Sequence, residues 1–112
     1  MLRNVSNREA RALVQARQEF ETNTQTIQAC WRNKNLYVVY SYGPHFPMYI
    51  YDTEVNQWVG NKDRYSRTTS NHQTATHPGD VSFWLDRNGM QDLISAGRFA
   101  EYIATKLEPA HA

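Results

Sequence analysis

Cysteine is nearly missing: Cys30 is the only one in 112 residues, which excludes an intramolecular disulfide and any zinc site built from several thiolates. A reducing interior is the simplest setting for such a chain. Long apolar runs are missing too. No uncharged stretch approaches the ~20 residues that span a bilayer, and MLRNVSNREARAL has no apolar segment of signal-peptide length, so neither a membrane span nor a leader is expected. Charge of one sign is also lacking, since 12 Lys and Arg stand against 11 Asp and Glu for a formal charge of +1. No global field therefore draws the chain to nucleic acid or acidic lipid, and any such binding has to come from a local patch.

Aromatic residues are present at 12%, enough to offset ordering entropy and to argue against disorder. The length fits one domain, residues 1–112, with a core built more from Tyr, Trp and Phe than from Leu and Ile.

Ser6-Asn7-Arg8-Glu9 has the form of a capping box, and Ala10, Leu13, Val14 and Arg17 follow at helical spacing, which predicts a helix over 6–20. From Thr22 the residues become β-branched, and strands are expected at Thr26 to Trp31, in LYVVYSYG, in MYIYDTEV and in QWVG, with polar turns between them. These make an antiparallel meander of three or four strands over 24–60, in which Val38, Tyr40 and Tyr42 face one way and Tyr37, Val39 and Ser41 the other. One face is expected to pack on helices and the other to stay tyrosine-rich and partly exposed. Residues 61–80 show no apolar periodicity and read as a long polar loop, longer than the ~12–15 residues usual for structureless connections. VSFWL is a short apolar run, after which Met90, Leu93, Ile94, Gly97, Ala100, Ile103, Ala104 and Leu107 predict a helix over 89–107, which Gly97 weakens and can split. The fold class is thus α+β: an N-terminal helix, an antiparallel sheet of three to four strands, a long polar loop and a C-terminal helix packed on the sheet.

Two motifs stand in order: YVVYSYG at Tyr37 to Gly43, and, after a tryptophan-bearing strand, YSRTTSNHQ at Tyr65 to Gln73. This pattern, over Ala29 to His77, resembles small proteins encoded by bacteriophages and other mobile elements, and GMQDLISAG is similar to the helix that often follows in them. The resemblance implies a genomic setting, hence a host-cell cytoplasm, and no mechanism.

Catalysis has raw material in Ser70, His72 and Asp63, the residue types of a nucleophile, a base and its orienting group, which defines a hydrolase-like alternative. No nucleophile elbow or Gly-rich oxyanion loop accompanies them, and the bland reading is that these hydroxyls bond the loop's own backbone. The expectation is no enzyme. His45, His72, His77 and His111, with Asp63 or Asp80, lack ligand spacing, so neither a metal nor another cofactor is expected. A second alternative is a nucleic-acid-binding module, with Lys62, Arg64, Arg67, Arg32 and Lys34 for phosphates and Tyr37, Tyr40, Tyr42, Tyr49, Tyr51 and Tyr65 for stacking. Half of those tyrosines would face the core on the bland account.

Binding of a host protein asks least of these residues, because Tyr, Trp and Arg dominate interface hot spots. The candidate partner-binding residues are Lys62, Arg64, Tyr65, Arg67, Ser70, His72 and Gln73, with Tyr42 beside them. The phage resemblance points the same way, towards an inhibitor of host defence or a host-takeover factor. Oligomeric state is left open, a homodimer included.

Overall fold

The structure, a computed structural model, describes residues 3–23, 25–63 and 67–107. It corrects the expected sheet. Instead of three or four antiparallel strands there are seven in one mixed sheet, β1 (Arg3–Val5), β2 (Phe20–Thr22), β3 (Ile27–Trp31), β4 (Leu36–Ser41), β5 (Pro47–Asp52), β6 (Gln57–Asn61) and β7 (Phe83–Leu85), ordered in space as in the chain. β2 to β6 form the antiparallel meander, whereas β1 pairs with β2, and β6 with β7, in parallel. The additional strands β1, β2 and β7 have three residues each, too few for period-two alternation to declare itself.

Parallel neighbours need a crossover, and the helices α1 (Asn7–Gln15) and α2 (Arg67–Ala75) provide the two. Both crossovers step the same way along the sheet between strands of the same direction, so the preferred hand of such units puts both helices on one face. Their contacts agree: the Arg11 guanidinium of α1 donates to the Thr74 carbonyl of α2 at 2.6 Å, and the Gln15 amide to the Pro78 carbonyl at 3.2 Å. α3 (Arg87–Ala96) and α4 (Phe99–Leu107) cover the other face.

The expected helix over 6–20 is shorter than the pattern suggested. The Glu9 carboxylate accepts the Ser6 N–H and hydroxyl at its start, and Arg17 leaves the helical region with φ 54° just past the end. The C-terminal helix is two helices, because Gly97 takes φ 85° and accepts the left-handed turn that ends α3.

Among the described residues the sheet has no tyrosine-rich exposed face, since every residue of β4 and β5 is buried. Tyr37, Val39, Tyr49, Tyr51 and Trp58 pack with Ala10 and Val14 of α1, and Leu36, Val38, Tyr40, Ile50 and Val59 pack with Met90, Leu93 and Tyr102. A sheet covered on both faces loses the in-and-out alternation, so LYVVYS and PMYIYD read as continuous apolar runs. The buried phenols reach polar partners at the core's edge, as Tyr37 does on the Gln18 carbonyl at 2.6 Å and Tyr51 on Asn56 Oδ1 at 2.7 Å.

Candidate functional site

The expected polar loop over 61–80 contains α2, and the reason it escaped detection is chemical. The buried residues of α2 are Thr69, His72 and Gln73, and Thr76 just past its end is buried as well. They stand at i, i+3, i+4 and i+7, the spacing of a helix's inner stripe, but the stripe is hydroxyl, imidazole and amide instead of apolar. Each of these polar groups needs a partner once buried. His72 Nδ1 lies 2.8 Å from Ser41 Oγ at the end of β4, and the Tyr42 ring sits 5.4 Å from the imidazole. Gln73 Nε2 donates to the carbonyls of Asn61 at 2.9 Å and Asp63 at 3.3 Å, and the Gln73 main-chain carbonyl accepts the Tyr49 hydroxyl at 2.7 Å, whereas the buried Gln73 Oε1 accepts no hydrogen bond among the described residues. The Thr76 hydroxyl closes back on the His72 carbonyl.

This geometry redistributes the candidate residues. Arg64 and Tyr65 lie outside the described residues. Lys62 and Arg67 are exposed, and the Lys62 backbone N–H donates to the Leu85 carbonyl at 2.8 Å. Ser70 is half-buried, and its carbonyl accepts the Thr74 hydroxyl. His72 and Gln73 are not offered to a partner: they are 6% and 2% exposed and tie α2 to the sheet. Tyr42 is 50% exposed in the left-handed region at φ 59°.

Ser70 and His72 do not form a nucleophile and base. His72 is engaged by Ser41, which is 1% exposed, and Asp63 directs its carboxylate to the Arg87 N–H at 2.9 Å. Burial pushes the imidazole below its usual range, so His72 is neutral near pH 7. Among the described residues, no three His, Cys, Asp or Glu side chains gather as a metal site.

The surface feature that sequence reasoning missed is β7. Phe83 and Trp84 are 44% and 42% exposed on an edge strand that, among the described residues, no further strand pairs on its outer side. Both rings are nonetheless fixed from behind. Phe83 stacks on Phe99 with centroids 5.0 Å apart, on the α4 face. Trp84 lies across Gly60 on the α2 face, so close that a Cβ there would fall 2.6 Å from the indole, with Tyr49 at 6.5 Å and His77 at 6.2 Å. The run VSFWL carried the signal, and only its place at the sheet's margin was illegible.

Compared with known proteins, the chain matches no family model, and no curated protein or solved structure matches it significantly. No helix among the described residues is long and apolar enough to cross a membrane.

Proposed function

We propose that this is a small accessory protein of a phage or mobile element that binds a host protein in the host cytoplasm, as an inhibitor of defence or a takeover factor, and that β7 is its binding edge. The observation that carries this reading is the pair Phe83 and Trp84, exposed on an edge that no other strand pairs among the described residues and packed from behind against Phe99 and Gly60. Edge strands are ordinarily blunted by Lys, Pro or charge, because an open row of backbone groups recruits other chains. Here the edge carries two aromatic anchors, the side chains that dominate hot spots, and strand addition supplies the complementary backbone bonds. Lys62, which follows β6 beside Leu85, adds a cation to the rim, and Arg67 is exposed at the start of α2.

The nucleic-acid alternative keeps those cations but loses four of its six stacking tyrosines, because Tyr37, Tyr40, Tyr49 and Tyr51 are in the core. The test is capture from host lysate by the wild type and by Phe83→Ser/Trp84→Ser, followed by identification of the retained protein. Loss of one specific partner in the double variant is expected. A partner retained equally by both chains, or steeply salt-dependent binding of single-stranded oligonucleotides in its place, would overturn the reading.

A further inference from the structure

α2 is fastened to the molecule by hydrogen bonds where its counterpart α1 is fastened by packing. Ala10 and Val14 of α1 are fully buried in the aromatic core, whereas the inner stripe of α2 is Thr69, His72, Gln73 and Thr76. Water can satisfy each of those groups, so releasing α2 exposes little apolar surface of the helix itself. Low apolar burial is what marks segments that open locally while the rest of a domain stays folded.

We propose that α2 is a proton-sensitive flap, docked while His72 is neutral and released when the imidazole takes up a proton, uncovering Ser41 and Tyr49 and freeing one flank of Trp84. In the neutral ring, the Ser41 hydroxyl can donate to Nδ1; in the cation, Nδ1–H can donate back to Ser41 Oγ, so that bond survives protonation. What has no compensation is the charge. Tyr42, beyond the end of β4, is the titratable group seen against the ring, and the titratable and charged groups of the other elements that meet α2 bind its neighbours: Tyr49 of β5 the Gln73 main-chain carbonyl, Arg11 of α1 the Thr74 carbonyl, and Asp63, through its own main-chain carbonyl, the Gln73 amide. Tyr42 touches the imidazole, and among the described residues no carboxylate hydrogen-bonds it. Arg11 brings positive charge to the helix, and the Asp63 carboxylate is committed to Arg87.

Burial lowers the affinity of docked His72 for a proton, and release restores the ordinary value. Between those two pKa values the released state holds more protons, so docking weakens as pH falls through that window and is at full strength above the ordinary imidazole pKa. The link to Trp84 is His77, at the end of α2, whose ring lies 6.2 Å from the indole and 5.6 Å from Tyr49.

Hydrogen exchange on the intact protein, read by mass spectrometry at about pH 7.5 and about pH 5.5, tests the proposal. After correction for intrinsic exchange, protection over 67–77 is expected to fall several-fold at the lower pH while 36–41 and 47–52 keep theirs. His72→Gln is expected to abolish that response, and His77→Asn to retain it. Unchanged protection over 67–77 in the wild type, an undiminished response in His72→Gln, or its loss in His77→Asn overturns the proposal. Should His72→Gln fail to fold, ring NMR signals of the wild type decide: His72 and the α2 amides titrating together supports the flap, and His72 titrating while those amides stay fixed overturns it.

Discussion

The carboxylate of Asp52, last residue of β5, accepts the backbone N–H of Phe99, first residue of α4, at 2.5 Å. The other carboxylate oxygen takes the N–H groups of Glu54 at 2.8 Å and Val55 at 3.4 Å. One fully buried side chain thus caps a helix distant in sequence and shapes the β5–β6 turn. Asp52→Ala strands these donors and is expected to cost about 2–3 kcal/mol, the loss of charge-assisted bonds and a cap. Asp52→Asn, which keeps one acceptor oxygen, should recover part of it. Urea midpoints at constant m-value measure both.

Gly60→Ala separates binding from stability. The added methyl collides with the Trp84 indole, but that ring is half in solvent and can swing away, so we expect a destabilisation below ~1 kcal/mol. Capture of the partner should nonetheless drop as it does for Trp84→Ser. Tryptophan emission, shifted to the red as the indole becomes wetter, reports the displacement directly.

High pH should unfold the protein in one step. Burial pushes the Tyr40 phenol up to about 12 and that of Tyr37 further up. The unfolded chain ionises near the usual ~10, so above that pH it binds fewer protons than the native state and stability falls as pH rises towards 12. Phenolate absorbance should therefore appear together with loss of far-ultraviolet ellipticity. Phenolate forming in these residues ahead of unfolding would contradict their burial.

Gln25 holds φ 61° in the exposed turn between β2 and β3, a conformation that costs an L-residue roughly 1–2 kcal/mol. Gln25→Gly is expected to stabilise by about 0.5–1 kcal/mol after the greater freedom of the unfolded chain is set against it. Arg17→Gly should gain less, although φ is 54° there, because the Arg17 guanidinium sits 4.4 Å from the Tyr51 ring centroid. Thermal melts of the two variants side by side check the contrast.

What could be read from the residues followed the strength of their periodicity. The strands β3 to β6 were legible because β-branched and aromatic runs carry a local signal, and the interior Gly97 marked where a helix expected over 89–107 could split. β1, β2 and β7 were not, since three residues are held in a sheet by neighbours and not by propensity. α2 hid because apolar periodicity was the criterion, and Thr69, His72, Gln73 and Thr76 have the period without the hydrophobicity. For the same reason His72 and Gln73 looked like recognition groups. The exposure of Phe83 and Trp84 could not be read from VSFWL, because exposure at a sheet margin is a property of topology.

That the sheet's spatial order equals its chain order bears on how the molecule assembles. Every strand finds its neighbour in the adjoining segment, so β2 to β6 can zip by short loop closures, at low entropic cost for a β-rich chain. The two parallel margins wait on a helix crossover each and join later. Substitutions in β4 or β5 should accordingly slow folding, whereas those in β1 or β7 should chiefly hasten unfolding. The margin that carries Phe83 and Trp84 is then among the last parts to form, and the interior strands are paired before that edge exists to recruit another chain.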